Sequence, residues 1–105
     1  MDKMYYFSTR KHAHDIEFVY NRACLLYECI WTDGYECTEE EFDKLETVID
    51  NLETLRTAVL NSEDGKVCKL TGKELGLARR TVDNADVLRS HCVGTSIKEF
   101  LRLIA

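Results

Sequence analysis

The sequence predicts an all-α fold, a small antiparallel bundle of about four helices in a single domain spanning residues 1–105. Three observations lead there: apolar residues recur at three- and four-residue steps along most of the chain, three Thr/Ser-x-x-Glu capping boxes punctuate it, and proline is absent. Without proline, nothing interrupts a long helix from within. A chain of 105 residues with 45% apolar and 31% charged residues has the balance of a folded globule with one core.

The firmest helix start is Thr38, followed three residues later by Glu41, a pair that satisfies two orphan N–H groups reciprocally. From there Phe42, Leu45, Ile49, Leu52, Leu55 and Val59 share one face of a helix running to about Leu60, roughly 33 Å long. The run Asn61 to Gly65 is its stop signal.

Upstream, Ile16, Val19, Ala23, Leu26 and Ile30 form one apolar stripe, and Tyr20, Cys24, Tyr27 and Trp31 form a second beside it. So broad an apolar surface marks the central helix, from about Arg10 to Trp31, with core packing the expected role of Tyr20, Tyr27 and Trp31. Gly34 can adopt the left-handed backbone that turns this helix into an antiparallel hairpin with the next.

A third helix follows Thr71 and its capping glutamate Glu74, with Leu75, Ala78, Val82, Ala85, Leu88 and Cys92 on its apolar face and Gly94 placed to close it. The last is short: Ser96 and Glu99 cap it, and Ile97, Phe100, Leu101 and Ile104 form its buried side. A helix of this length is unstable alone, so it must dock on the others. Met4 to Phe7 and Val67 to Leu70 read first as helix extensions, with a paired two-strand ribbon as the minor alternative.

Charge is segregated along the chain. Residues 1–31 are neutral in sum, residues 32–65 carry eleven acids against two bases for a net −9, and residues 66–105 carry eight bases against four acids for a net +4. On the second helix Glu39, Asp43, Glu46, Asp50 and Glu53 advance by four, three, four and three residues, which aligns them opposite the apolar face. Such a stripe either serves as a solvated face that maintains solubility or docks on a basic surface, where spaced carboxylates can stand in for phosphates. Tyr35 and Glu36, in the preceding turn, extend that surface with an interface-type aromatic residue.

The segment Leu75-Gly76-Leu77-Ala78-Arg79-Arg80-Thr81-Val82-Asp83-Asn84 resembles the turn and recognition helix of helix-turn-helix regulators over about ten residues. The resemblance implies a DNA-binding transcriptional regulator using residues 71–92, with Arg79, Arg80 and Asn84 on one exposed side. The same segment also reads as an ordinary amphipathic helix with Arg79 and Asp83 paired.

Catalytic signatures are not expected. His12 and His14 point apart on a helix, His91 adjoins Cys92, and the glycines form neither a dinucleotide fingerprint nor a P-loop. Five irregularly spaced cysteines are not a secreted disulfide framework and lack metal-ligand spacing. No export signal or membrane span is visible, which makes the cytoplasm the expected compartment. The sequence therefore points to a non-enzymatic inhibitor or adaptor, without metal or cofactor, that presents its acidic helix to a basic protein surface. In composition it is similar in type to the small acidic helical blockers of nucleic-acid-handling machinery that phages and mobile elements encode. Homodimerisation through excess apolar surface on the first helix is a further expectation.

Overall fold

The computed structural model describes residues 3–62, 67–90 and 96–105, with the side chains of residues 10 and 11 left out. The chain runs β1 (Met4–Ser8), α1 (Thr9–Thr32), α2 (Glu39–Leu60), β2 (Val67–Thr71), α3 (Gly72–Ser90) and α4 (Ile97–Ile104). The mostly helical architecture is as expected, but the segments read first as helix extensions are strands. They form a two-stranded antiparallel ribbon in which Met4 faces Thr71 and Ser8 faces Val67. The reason lies in the Thr71–Glu74 cap: Glu74 N–H donates to Thr71 Oγ1 at 3.2 Å and Thr71 N–H donates to Glu74 Oε1 at 2.9 Å. With Thr71 as the cap, the residues before it cannot continue α3 backwards. Their alternation instead buries Cys68 and Leu70 and leaves Val67 and Lys69 outside.

Helices α1 and α2 are antiparallel, because partners on α2 fall in number as those on α1 rise: Glu17 meets Arg56, Tyr27 meets Glu46, and Trp31 meets Phe42. Gly34 has a φ of 69°, which lets the Tyr35 N–H turn back to Cys29 O at 3.2 Å and end α1. The start of α2 is the expected reciprocal capping box on Thr38 and Glu41. Ile16, Val19, Ala23 and Leu26 of α1 pack with Leu45, Leu52, Leu55 and Val59 of α2 in one continuous core, which Leu70, Leu88 and Phe100 complete.

Two faces differ from expectation in detail. On α3 the buried residues are Leu77, Ala78, Thr81, Ala85 and Leu88, while Leu75 and Val82 are only half-buried. Thr81 can sit inside because its hydroxyl donates to Leu77 O at 2.7 Å, so no polar group is stranded. On α2, Val48 joins the core, Ile49 lies at its margin, and Phe42 is half-buried against Tyr27. The proposed closures at Gly65 and Gly94, and Cys92 on the third apolar face, lie outside the described residues.

Helix α4 has only eight residues, and its Ile97, Phe100, Leu101 and Ile104 are all buried. Ser96 Oγ accepts from Glu99 N–H at 3.0 Å, and the Glu99 carboxylate pairs with Arg102. Phe100 is fully enclosed, so Phe100→Ala should cost about 3–5 kcal/mol, read from the shift in urea unfolding midpoint at constant slope.

Arg56 and Glu17 form a two-point ion pair across α1 and α2. Hydrogen bonding to Arg56 holds the Glu17 carboxyl below the usual glutamate range despite some opposing desolvation. The folded carboxyl thus gives up its proton more readily than the unfolded one. The pair's contribution is complete above the unfolded value and fades as pH falls through the folded one. Both groups are partly solvated, which keeps the effect modest. The stability gap between wild type and Glu17→Gln should therefore narrow between about pH 6 and pH 3 in urea titrations; a gap independent of pH would contradict this account.

Candidate protein-binding surface

The inward turn of Leu45, Val48, Leu52 and Leu55 dictates where the α2 carboxylates go. Glu39, Asp43, Glu46, Asp50 and Glu53 are all exposed, on the side of the helix away from the core. None of the five belongs to an ion pair among the described residues. Other cations pair with other acids: Lys44 with Glu40, Arg56 with Glu17, Arg89 with Asp15 and Asp86, and Arg102 with Glu99. Glu53 lies close enough to Arg56 to add to the charge that raises the arginine's pKa, after the larger effect of the Glu17 hydrogen bond. Glu46 accepts a long 3.5 Å hydrogen bond from Tyr27 Oη.

The stripe borders different neighbours along its length. Glu46 and Asp50 flank a shallow cleft of about 430 Å³ against α1, shared with Cys24, Tyr27, Glu28 and Ile49. Asp43 borders a larger groove on the other flank of α2. Tyr35 and Glu36 lie exposed in the connection between α1 and α2, leading directly into Glu39.

Trp31 corrects the expectation of core packing: it is 68% exposed. It stands edge-on to Tyr27 and to Phe42, with ring centroids 6.4 and 6.1 Å away, while Tyr27 and Phe42 stack on each other at 5.5 Å. Placed next to last in α1, Trp31 sits where the hairpin turns away, and most of its side chain stays in solvent. That position was the signal available in the sequence. Together with Tyr35, 40% exposed, it sets aromatic surface beside the N-terminal end of the acidic stripe. Tyr20 and Tyr27, by contrast, pack against the core as expected.

The residues of the DNA-binding alternative are placed differently from what the resemblance implies. Helix α3 passes through Gly76 without a turn, and Gly34 is the only positive-φ residue among those described. The paired helices of a helix-turn-helix are therefore not formed there. Arg79 is exposed but makes no ion pair with Asp83 among the described residues. Arg80 Nε donates to Ile104 O at 3.0 Å, and Asn84 Nδ2 donates to Leu103 O at 3.1 Å and to Arg80 O at 2.8 Å. Both side chains thus hold the end of α4, satisfying carbonyls that the helix leaves without internal partners.

Burial raises the pKa of the Cys29 and Cys68 thiols, and nearby carboxylates add to this, so both are kept away from the thiolate form. Among the described residues no group of three His, Cys, Asp or Glu side chains could hold a metal ion, and no helix is long and apolar enough to cross a membrane. His91 and Cys92 lie outside the described residues. Comparison with known proteins returned no match among protein families, curated proteins or solved structures.

The double role of Asn84 at the α3–α4 contact is measurable. Asn84→Ala should destabilise the fold by about 1–2 kcal/mol, because it leaves a carbonyl at the end of α4 without its donor. Equilibrium urea unfolding reports it, and unchanged stability would show that water replaces the amide at no cost.

Proposed function

We propose that this protein is a non-enzymatic, cytoplasmic protein-binding module, an inhibitor or adaptor that applies the outer face of α2 to a basic surface on another protein. The observation that carries the proposal is that five aligned carboxylates remain exposed and outside any ion pair among the described residues, while Arg56 of the same helix engages Glu17. A charge row of that kind steers and selects a cationic partner over distances of about a Debye length, roughly 8 Å at physiological salt.

Aromatic surface gives the contact an anchor. Exposed Trp31, steadied by Tyr27 and Phe42, and Tyr35 with Glu36 stand at one end of the row. Tryptophan and tyrosine bury large area at little entropic cost and are enriched among energetic hot spots. Five carboxylates over about 21 Å give one charge per ~5 Å of helix. A nucleic-acid strand carries one per ~3.4 Å of axis. That similarity in charge density favours a partner whose basic surface also takes nucleic acid.

The test compares proteins captured from extracts of the source cell by immobilised wild-type chain and by the triple variant Asp43→Lys, Glu46→Lys, Asp50→Lys. Wild type should retain a basic protein near 0.1 M salt and lose most of it near about 0.5 M, as screening predicts. The triple variant should retain at least about tenfold less at unchanged helicity by circular dichroism. Trp31→Ala should weaken the same capture by a comparable factor without lowering stability, since the side chain is mostly in solvent. Equal capture by wild type and the triple variant would remove the acidic face from consideration.

A further inference from the structure

The opposite flank of α2 carries a second surface, separate from the outer acidic face except at Asp43, which borders both. It is a groove of about 930 Å³ between α2, α3 and α4. Its α2 wall runs from Thr38 to Thr54, about 24 Å at the rise of an α-helix. That is longer than a drug-sized ligand and matches four to five helical turns.

The two walls differ in sign. The difference is one of net charge: on the α2 side Lys44 only partly offsets Glu40, Glu41 and Asp43, and on the side of α3 and α4 Glu74 only partly offsets Lys73, Arg80, Lys98 and Arg102. Glu40 is paired with Lys44 and Arg102 with Glu99, whereas Asp43, Lys73 and Lys98 belong to no ion pair among the described residues. Between the walls the floor is narrow: Val48, Leu77 and Leu101 are 6–8% exposed, so only the solvent edge of the core reaches it. Apolar burial alone would bind weakly there, and charge matching has to set register and orientation.

We infer that this groove docks an amphipathic helix of a partner protein, one with a single narrow apolar stripe flanked by basic residues along α2 and by acidic residues along α3 and α4. A groove between helices whose α2 wall spans four to five turns suits a helix anchored at i, i+3, i+4 and i+7. A partner flanked by one sign only would meet repulsion from one of the two walls. This surface does not depend on the outer acidic face being a docking site.

The probes are three synthetic helical peptides with the same leucine stripe: one with lysine on one flank and glutamate on the other, one with lysine on both, and one with glutamate on both. Each is titrated into the ¹⁵N-labelled full chain, following the amide signals of Val48, Leu77 and Leu101. The mixed peptide should shift these signals with an affinity about tenfold above either single-sign peptide, which a few favourable surface pairs suffice to supply. In the double variant Lys73→Glu, Lys98→Glu both walls are acidic, and the preference should pass to the all-lysine peptide. Each replacement lies near the start of its helix, where a carboxylate suits the helix dipole, so the variant should fold.

Equal affinity for the three peptides, a preference unchanged by the double variant, or no movement of the three amides would overturn the inference. So would two other occupants: lauric acid shifting these signals where no peptide does, or shifts that follow protein concentration and track a dimer in light scattering.

Discussion

Burial of one face of α2 against α1 sets the direction of nearly every charged group that matters in this protein. Leu45, Leu52 and Leu55 are fully enclosed, and Val19 and Ala23 of α1 are fully enclosed in the same core. A helix has one rotation about its axis, so once that apolar stripe is committed the residues half a turn away are committed to solvent. Five carboxylates occupy those positions, and the hairpin sustains their alignment for about four turns. Partial rotation of α2 would cover some of them at the expense of exposing leucines, a far larger penalty than the mutual repulsion of solvated carboxylates.

The cationic part of the chain has a different architectural role. Arg89 bridges Asp15 and Asp86 and lies over the Phe18 ring at 4.7 Å, joining α3 to α1. Arg56 joins α2 to α1 and rests over Tyr20 at 5.3 Å. Arg80 and Asn84 secure the last carbonyls of α4. Planar guanidinium groups suit such junctions, since they can bond a carboxylate and stack on an aromatic ring together. These arginines serve junctions between elements, and none forms an ion pair with the acidic stripe among the described residues. The lysines at the starts of α3 and α4, Lys73 and Lys98, stay at the surface and give the groove its basic wall.

The ribbon of β1 and β2 shows how a local rule can be decisive when followed through. The Thr71–Glu74 box is visible in the sequence, and a capped start excludes helix immediately before it, yet hydrophobic periodicity over four or five residues cannot separate strand from helix. A two-strand ribbon also needs a partner 59 to 67 positions away to form, since Ser8 pairs with Val67 at one end of the ladder and Met4 with Thr71 at the other. Such pairing joins segments separated in the chain by α1 and α2, and short segments carry no record of how those helices fold back.

Local chemistry in the chain determined the four helices, their caps, the Gly34 turn and the outward row of Glu39, Asp43, Glu46, Asp50 and Glu53. Each of those follows from residue spacing within a single helix or turn. Tertiary packing decided what spacing cannot express: that Trp31 stands mostly in solvent at a helix end, that α3 runs unbroken through Gly76 with Thr81 inside, that Arg80 and Asn84 serve α4, and that walls of opposite net charge face each other across a groove. Those features join residues from different helices, and their relative rotation is set by the packing of the whole core, which no local pattern encodes.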